Sequence, residues 1–596
     1  MKDVVRLGCW AAFWGDTPHA ARQLLREDSL DYLVADHLSE ITMALLARAA
    51  AKDPAGGYVA DAVDVLAGLL PTLHERGIKV ITNAGGLNPT ACAEALQAAA
   101  EASSVPLKVA AVTGDDLSGR VTELVAAGAR DMFTGEALPD HVQSLNAYLG
   151  AIPIAAALDA GADIVVTGRC VDAAVVLGPL LHEFGWSRDD YDLLSAGTLA
   201  GHVVECGPQC TGGNHTDWWA VPGWDDMGYP IAEVSRDGTT VITKPAGTGG
   251  MVTPATIGEQ VLYEIADPGA YVMPDVVCDW REVTLEQVGV DRVRLSGARG
   301  TAPTTTYKAT ATVVDGHRVL TSAMFAGADA AGRARRAGRA AIDRAARLIA
   351  ADGCPPFAET SVEVVGAGDL HGRTGADTAE EVVVKIGLRH ADRAPLEVFS
   401  RELASLALVA PGMTGLLGGR PRVSPVHRVL HLLVDKDSVP VSYALGGPPI
   451  PVELPAGDAR AVVATPTLPD AEPGSTAGLR LVPLRQIAYA RSGDKGDAAN
   501  IGVIARRPED LRLLREQLTA ARVGSFFAHV LSGEVRRWEV PGLHALNFLL
   551  TDVLGGSGGT STLRYDPQGK SYASMLLTMP VAVPAGWVPV PPGRAS

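Results

Sequence analysis

The first third of the chain alternates short apolar segments with segments of helical period. Five apolar segments favour strands, and in order they are VVRLGCW, LDYLVADHL, KVITNAGG, KVAAV and ADIVVTGR. Helical patterns lie between them, for example over residues 42–52, 58–76 and 91–102. This alternation predicts an α/β fold over residues 1–195, with a mostly parallel sheet and helices on both of its faces.

Polar residues and glycines follow these predicted strands. Because ligands bind outside the carboxyl ends of parallel strands, we expect these residues to line one pocket. Its carboxylates and histidine would serve as general acids or bases, and its arginine and amide groups would hold a substrate. The alternative is that they only form turns and cap helices. The candidates are Asp36 and His37, then Asn83, Gly85 and Gly86, then Asp115, and finally Arg169 and Asp172.

Residues 196–447 have a different pattern, which predicts an α+β second part. Glycine-rich sequence comes first and contains KPAGTGG at residues 244–250. A lysine beside small residues predicts an anion-binding loop with Lys244, Gly247, Gly249 and Gly250, although the spacing is not that of a Walker loop. Strand patterns follow, including YKATATVVDG and HRVLTSAMFAG, and a long helical pattern covers residues 328–351.

The last part of the chain has the pattern of a small separate domain. Residues 448–483 are rich in proline, alanine and glycine and predict a linker. Residues 484–583 alternate strand and helix patterns in the manner of a βαββαβ two-layer domain. In this interpretation residues 508–518 form a helix, and residues 540–550 and 572–580 form later strands.

Residues 487–506, IAYARSGDKGDAANIGVIAR, contain the densest group of polar residues in this domain. Two β-favouring stretches flank residues 491–500, which we interpret as a polar loop bent by glycines. We expect this loop to dock against the mouth of the N-terminal pocket. Asp494 and Lys495 would then take part in catalysis, and Arg491 and Asn500 in substrate binding. A hairpin loop with internal salt bridges is the alternative.

Composition excludes some classes of partner. The net charge is −17 without a basic run, which argues against nucleic acid. Apolar runs are too short to span a bilayer, and the N-terminus lacks a signal-peptide pattern, so we expect a cytoplasmic protein without a membrane partner. The C-x3-C pair Cys206 and Cys210 matches no standard zinc spacing. We therefore predict no metal or cofactor, with Mg²⁺ on scattered carboxylates as an open alternative.

Several long motifs resemble one known family. GCWAAFWGD, LDYLVADHLSEITMALLAR, KVITNAGGLNP, ADIVVTGRCVDAA, KPAGTGGMVT and RSGDKGDAANIG are similar to the acyclic terpene utilisation protein A (AtuA-like) family. The resemblance covers an AtuA-like core to about residue 450 and a ferredoxin-fold C-terminal domain over about residues 484–583. It implies a place in acyl-CoA metabolism, because the family is associated with degradation of acyclic terpenoids through acyl-CoA thioesters.

These observations favour an enzyme that acts on a small carboxylate or an acyl-CoA substrate. A hydratase, dehydratase or other lyase fits best, because such chemistry needs a general base, a general acid and donors to an enolate. The alternative is a non-catalytic binding or assembly subunit of an acyl-CoA carboxylase or a catabolic pathway complex. A homo-oligomer is the commoner state for a soluble enzyme and is expected here.

Overall fold

The computed structural model describes residues 2–372, 379–470, 479–556 and 561–589. Its fold class is the predicted one, α/β with a large sheet and a small C-terminal ferredoxin-like domain. None of the helices in these ranges combines the length and apolar character that a membrane crossing requires.

Residues 2–204 contain six strands and nine helices among the described residues. The strands are β1 (Val4–Ala11), β2 (Tyr32–Ala35), β3 (Lys79–Gly86), β4 (Val109–Thr113), β5 (Ser144–Ala147) and β6 (Ile164–Gly168). The helices are α1 (His19–Leu24), α2 (Glu40–Ala50), α3 (Ala60–Ala67), α4 (Leu70–Arg76), α5 (Pro89–Ala102), α6 (Val121–Ala126), α7 (Ile152–Asp159), α8 (Ala174–Phe184) and α9 (Tyr191–Val204).

Residues 205–470 add further strands to this first part and build a second sheet. The strands are β7 (Ile231–Ser235), β8 (Thr240–Thr243), β9 (Tyr271–Val272), β10 (Val277–Asp279), β11 (Thr284–Gly289), β12 (Arg292–Ser296), β13 (Arg299–Thr301), β14 (Thr306–Ala326), β15 (Glu359–Val365), β16 (Glu381–His390), β17 (Met413–Leu417), β18 (Ser424–Asp435), β19 (Ser442–Ala444) and β20 (Ile450–Pro451). The helices are α10 (Pro254–Val261), α11 (Ala330–Ala351) and α12 (Arg393–Glu402).

The main sheet has eleven described strands in the order β11-β12-β8-β7-β1-β2-β3-β6-β4-β19-β20. The five predicted strands β1, β2, β3, β6 and β4 are neighbours and run parallel. The later strands on both flanks are antiparallel. Burial explains this order: every residue of central β2 is buried, whereas edge strand β11 is mostly exposed or half-buried. The predicted parallel sheet is therefore the centre of a larger mixed sheet.

Strand β14 joins two strands that the sequence predicts separately. In the sequence, YKATATVVDG and HRVLTSAMFAG are predicted as separate strands, and Asp315 and Gly316 lie where they meet. Instead the chain continues through an irregularity between Val314 and His317, where Gly316 takes a φ of +70°. A bulge of this kind bends a strand without reversing it. One half of β14 pairs with β5 and β18, and the other half pairs with β16 and β17.

The C-terminal unit, residues 479–589, packs beside the core, by which we mean residues 2–451. Its strands are β21 (Leu479–Pro483), β22 (Ala488–Lys495), β23 (Ala498–Ala505), β24 (Val535–Val540), β25 (Ala545–Leu550) and β26 (Pro580–Pro584). Its helices are α13 (Leu511–Gln517), α14 (Ala520–Phe526) and α15 (Tyr572–Leu576). Four antiparallel strands in the order β22-β23-β25-β24 form the ferredoxin-like sheet, and β21 pairs with β26.

Two predictions for this unit are wrong. Residues 572–580 are not one strand: Tyr572–Leu576 form helix α15 and β26 begins only at Pro580, because Tyr572, Ala573, Met575 and Leu576 are buried at helical spacing. Residues 491–500 are not a loop: β22 and β23 pair from Ala488↔Ala505 to Lys495↔Ala498. The polar residues therefore stand on a paired hairpin, which holds them more rigidly than a loop does.

The predicted linker over residues 448–483 lies partly outside the described residues, at 471–478. The stretch before that gap contacts the C-terminal unit. Trp538 Nε1 donates to Thr465 O at 3.1 Å, and Leu468 N donates to Arg537 O at 2.7 Å.

Candidate functional site

The carboxyl ends of the central parallel strands carry a buried acidic group. Asn83 Nδ2 donates to Asp36 Oδ1 at 2.6 Å, and Asn83 Oδ1 accepts from the backbone N–H of His37 at 2.7 Å. Asp36 is only 6% exposed. Burial, and then the negative charge of Asp172, raise the pKa of Asp36 well above its ordinary value. Burial disfavours the charged form of a carboxyl group, so this setting favours a proton on Asp36 more than water does.

Arg169 lies at the same edge, at the end of β6. Its Nη1 donates to Asp172 Oδ1 and to Cys170 O, both at 2.8 Å, and its guanidinium lies 4.0 Å from the ring of Tyr148. Within the described part of the chain, the buried Nε of Arg169 has no hydrogen-bond partner. Burial disfavours its charge, but Tyr148, Asp172 and nearby carboxylates raise its pKa well above the ordinary value. Arg169 is therefore a fixed cation with one unused donor.

The end of helix α9 brings a second buried carboxyl group to this edge. Glu205 is 7% exposed, and its Oε1 lies 3.3 Å from His202 Nδ1. Burial, followed by the charges of Asp172 and Glu264, raises the pKa of Glu205 well above the ordinary value, although Lys495 and Arg169 oppose this. Burial also lowers the pKa of His202 to about 4, so burial disfavours the charged form of both members of this pair.

The C-terminal unit meets this edge through Lys570 and the β22–β23 hairpin. Lys570 Nζ lies 3.0 Å from Glu264 Oε1 and 3.4 Å from Asp494 Oδ1, and it donates to the hydroxyl of Tyr263. Gly493 permits this close packing, because a Cβ there would lie 2.4 Å from Tyr263 and 2.5 Å from Glu264. Carboxylates from the core and from the C-terminal unit thus share one lysine.

Asp494 and Glu264 have opposite pKa shifts. Burial and the charge of Glu264 raise the pKa of Asp494 to about 7, against the opposing charge of Lys570. Burial would also raise the pKa of Glu264, but the charges of Lys570 and Lys495 are stronger and lower it. Two neighbouring carboxyl groups with pKa values pushed apart are the arrangement that general acid–base catalysis uses.

Lys495 is the cation with the fewest partners in this region. Its Nζ lies 5.8 Å from the ring centre of Tyr271, and the described chain gives its side chain no hydrogen bond and no ion pair. Its charge nevertheless affects Glu205, Glu264, His202 and His431. Lys495 therefore lies among these groups as a half-buried cation that is free to bind a ligand.

Together these groups form what we call the junction cluster: Asp36, Arg169, Asp172, Glu205, Glu264, Asp494, Lys495 and Lys570. Five carboxyl groups and three cations would give a charge of −2 if all were ionised. The raised pKa values of Asp36, Glu205 and Asp494 have the direction that this excess of carboxyl groups favours.

Two asparagines fix the segment that carries Tyr263 and Glu264. Asn500 donates to Leu262 O at 2.8 Å and accepts from Ala266 N at 2.9 Å, and Asn547 donates to Ala266 O at 2.6 Å. Both Glu264 and Ala266 have positive φ, +61° and +55°. Such backbone conformations cost free energy in non-glycine residues and persist only where surrounding contacts hold them. The C-terminal unit therefore sets the position of Glu264.

Two other residues predicted at the sheet edge, Asp115 and His37, lie outside the junction cluster. Asp115 Oδ2 accepts from Asn146 Nδ2 and from the backbone N–H of Arg169, both at 2.8 Å, and burial raises the pKa of Asp115 to about 7. His37 packs edge-on against Trp10, with ring centres 5.1 Å apart. Burial lowers the pKa of His37 to about 4. Asp115 orients Arg169, and the role of His37 stays a prediction.

Gly85 and Gly86 lie where neighbouring atoms leave no room for a side chain. A Cβ at Gly85 would lie 2.5 Å from Thr167 O, and one at Gly86 would lie 2.4 Å from Leu46. Gly86 also has a φ of +54°, which favours glycine. Close packing therefore explains why both residues are glycine, and oxyanion binding by their N–H groups stays a prediction.

The loop at residues 244–250 uses its polar groups internally. Lys244 Nζ lies 3.2 Å from Asp291 Oδ2 and donates to Thr248 O at 2.9 Å. The N–H groups of Gly249 and Gly250 donate to Asp226 O and Pro222 O at 2.8 and 2.7 Å. The sequence argument assumed uncovered donors at these glycines, and that assumption is wrong. No contact joins Lys244, Gly247, Gly249 or Gly250 to the junction cluster within the described residues.

Arg491 and Asn500 also have structural contacts. The Arg491 guanidinium lies 4.8 Å from the ring of Tyr263, and its Nη1 is 3.4 Å from Asn214 O and 3.5 Å from Gly213 O. Asn500 is fully buried in the contacts described above. Both residues connect the C-terminal unit to the core, and substrate binding by either is untested.

The sequence analysis did not identify Glu205, Glu264 or Lys570. A signal existed for Glu205, because a carboxylate within the apolar run VVEC is unusual unless it is paired or functional. Lys570 offers no local signal, since its partner Glu264 is 306 positions away. In the described residues no three His, Cys, Asp or Glu side chains are grouped so as to hold a metal ion.

Comparison with known proteins identifies the two parts of the chain. The model of the acyclic terpene utilisation family protein AtuA matches residues 5–445, and the model of the AtuA ferredoxin-like domain matches residues 482–582. No curated protein and no solved structure matches the chain. The junction cluster draws residues from both matched regions. Because the first model alone covers well over half of the sequence, the chain belongs to the AtuA family.

Proposed function

We propose that this protein is an enzyme that adds water to, or removes water from, a small acyl thioester or carboxylate. The observation that carries the proposal is the junction cluster, in which buried carboxyl groups with divergent pKa values surround the unpaired Lys495. Perturbed groups of this kind collect at catalytic sites because proton transfer needs a pKa near the working pH.

In this mechanism the ionised form of Asp494 removes a proton from the carbon next to the substrate carbonyl. The electron pair moves onto the carbonyl oxygen, and Lys495 stabilises the resulting enolate. The enolate then re-forms the carbonyl and expels the hydroxyl group from the neighbouring carbon, while protonated Glu205 supplies the proton that makes water. The proton on Asp494 returns to Glu205, which restores the starting state. Hydration runs through the same steps in reverse.

The C-terminal unit has a direct part in this proposal. It supplies Asp494, Lys495 and Lys570, and its Asn500 and Asn547 hold the strained segment around Glu264. Lys570 keeps Glu264 ionised, and that fixed negative charge in turn keeps the pKa of Asp494 near neutrality. Neither matched region contains the full set of groups, so activity requires both.

The test uses the purified chain with 3-hydroxybutyryl-CoA and crotonyl-CoA. Thioester hydration is followed by absorbance, and exchange of the α-proton in D2O is followed by NMR, which detects proton removal even when water loss is slow. Asp494→Asn and Lys495→Met should each lower the rate about 10- to 100-fold, equivalent to about 1.4 to 2.8 kcal/mol of lost transition-state stabilisation. Asp437→Asn, an exposed carboxylate on the core, is the matched control. Absence of both exchange and hydration would refute the proposal for thioesters of this size.

A binding or assembly subunit is the second candidate, and one surface feature favours it. Trp218, Trp219 and Trp224 are 56%, 48% and 60% exposed, and Trp218 contacts the other two rings edge-on at 5.8 and 5.9 Å. Exposed indoles in a group are typical of protein interfaces. If the chain alone is inactive and gains activity only with an acyl-CoA carboxylase or another pathway enzyme, this candidate replaces the first.

A further inference from the structure

A groove on the second sheet combines cations with exposed apolar side chains. It has a volume of about 420 Å³ and is lined by Leu320, Thr321, Ser322, Lys385 and residues 417–422. We call it the arginine groove, after Arg420 and Arg422. Ligand sites for small molecules commonly enclose 300 to 1,000 Å³, so the groove has room for one.

The groove lies where strand pairing along β14 is interrupted. Strand β17 pairs with β14 as far as Ser322↔Leu417, and β18 begins its described pairing at Arg318↔Ser424. Residues 418–423 cross this gap as a loop. Gly418 and Gly419 have φ values of +80° and +74°, and no heavy atom of the described residues lies within 4 Å of a Cβ built on either. The backbone of the loop is therefore open to an incoming group.

The charges at the groove are positive although the whole chain is strongly acidic. Lys385 is the most buried of them, and its Nζ lies 3.0 Å from Glu363 Oε2. Arg420 Nε donates to Ser400 Oγ at 3.2 Å, which leaves its terminal nitrogens unused, and Arg422 is exposed with no bond or ion pair in the described chain. With a net charge of −17 the protein repels polyanions in general, so an anion can bind only at a local group of cations like this one.

Two further features point to a ligand. Thr321 is only 7% exposed, and its buried Oγ1 has no hydrogen-bond partner among the residues that the structure describes. Leu320 and Leu417 are 37% and 52% exposed at the groove. Arginine binds phosphate oxygens through paired N–H donors, and exposed leucines suit an organic portion attached to the phosphate.

From this arrangement we propose that the arginine groove binds a phosphate-bearing small molecule, at a site separate from the junction cluster. Strand β14 connects the two regions: Lys308 lies over the ring of Tyr148, which also contacts Arg169 of the junction cluster, and Ser322 lines the groove. At about 3.3 Å per residue they are on the order of 40 Å apart along the strand. A ligand in the groove is therefore a second ligand, and this proposal does not depend on the proposed function.

The test is calorimetric titration of the full-length chain with pyrophosphate and with ADP at fixed ionic strength. Arg420→Gln combined with Arg422→Gln should weaken the binding of both probes about 10- to 100-fold, because each lost charge-assisted hydrogen bond accounts for roughly tenfold. Arg512→Gln removes one exposed arginine from α13 and should leave both affinities unchanged. Arg422→Gln alone, which breaks no contact in the described chain, should give an intermediate loss.

The two probes also separate the possible sources of the phosphate. If ADP binds more tightly than pyrophosphate and Leu417→Ser weakens the binding of ADP alone, the ligand is an organic phosphate. Equal affinities for the two probes indicate inorganic phosphate. Asp494→Asn should leave both affinities unchanged whether or not it abolishes catalysis. The proposal is overturned if neither probe binds at millimolar concentration, or if the double variant binds as the parent does.

Discussion

Two segments with similar composition differ in where their polar groups find partners. Residues 244–250 and 491–500 both combine lysine or arginine with glycines, and the sequence predicts ligand-binding residues in both. In the first segment Lys244 pairs with Asp291, and the glycine N–H groups bond to nearby carbonyls. In the second segment Lys495 lies over the ring of Tyr271 in the core, and Asp494 shares Lys570 with Glu264 of the core. Charge and glycine content therefore do not predict whether the polar groups of a segment bind to neighbouring turns or take part in the contact between the C-terminal unit and the core.

The largest effect should come from breaking the contact that holds the hairpin against the core. Arg506 follows β23 and binds Asp217 through two hydrogen bonds of 2.7 and 2.6 Å, with both side chains about 5% exposed or less. Arg506→Met leaves Asp217 buried and unpaired, which costs about 3–5 kcal/mol. We expect faster limited proteolysis between the two parts and a melting temperature lower by several degrees.

Arg512→Met is the control for this variant. Arg512 pairs with Glu516 on the surface of α13, where its side chain is 83% exposed, and such pairs contribute about 1 kcal/mol or less. If Arg506→Met melts and is cleaved like the Arg512 control, the hairpin is not held in the way described.

The sequence predicts the sheet better than it predicts the site. Strands β1, β2, β3, β4 and β6 were predictable because they are short apolar runs between helical patterns. The run at residues 572–580 was misread because a few buried residues fit either period. Asp36, Arg169, Asp172, Asp494 and Lys495 were found from strand ends and local polarity.

The remaining members of the cluster depend on tertiary contacts. Glu264 and Lys570 meet only when the C-terminal unit packs on the core, so neither local pattern nor spacing identifies them. The same limit applies to residues 244–250, whose partners Asp226 and Asp291 come from other turns of the chain. Local pattern predicts which groups are polar, and only packing determines what they face.

A second effect concerns the pH dependence of stability. The pKa of Asp494 is raised from its ordinary value near 4 to about 7, so the folded protein holds a proton there that the unfolded chain releases. This group makes folding less favourable as pH rises from about 4 to about 7, by at most about 1.4 kcal/mol per pH unit. Asp494→Asn cannot titrate and should flatten that part of the curve.

Melting temperature measured from pH 4.5 to 8 tests this prediction. The difference between Asp494→Asn and the parent should grow in favour of the variant up to about pH 7 and stay constant above it. Asp437→Asn, whose side chain is exposed, should run parallel to the parent. Parallel curves for Asp494→Asn would show that Asp494 is ionised throughout.

A smaller effect separates packing from binding at residues 244–250. A Cβ at Gly249 would lie 1.9 Å from Gly223 O, so Gly249→Ala forces two backbone segments apart at a cost of about 1–3 kcal/mol. Gly447→Ala has no atom within 4 Å of its Cβ and should melt like the parent. A normal melting temperature for Gly249→Ala would mean that the loop is looser than this structure shows.

The smallest and most direct test compares two lysines. Lys244 has a side chain that is 6% exposed, with one ion pair and one hydrogen bond, so Lys244→Met should lower stability by about 1–2 kcal/mol and leave thioester turnover unchanged. Lys495 has no such partner in the described chain, so Lys495→Met should change stability by less than about 0.5 kcal/mol while turnover falls. Melting temperature and initial rate, measured on the same preparations, give the comparison. If Lys244→Met lost turnover but kept normal stability, that result would support the anion-binding role that the sequence predicts for residues 244–250.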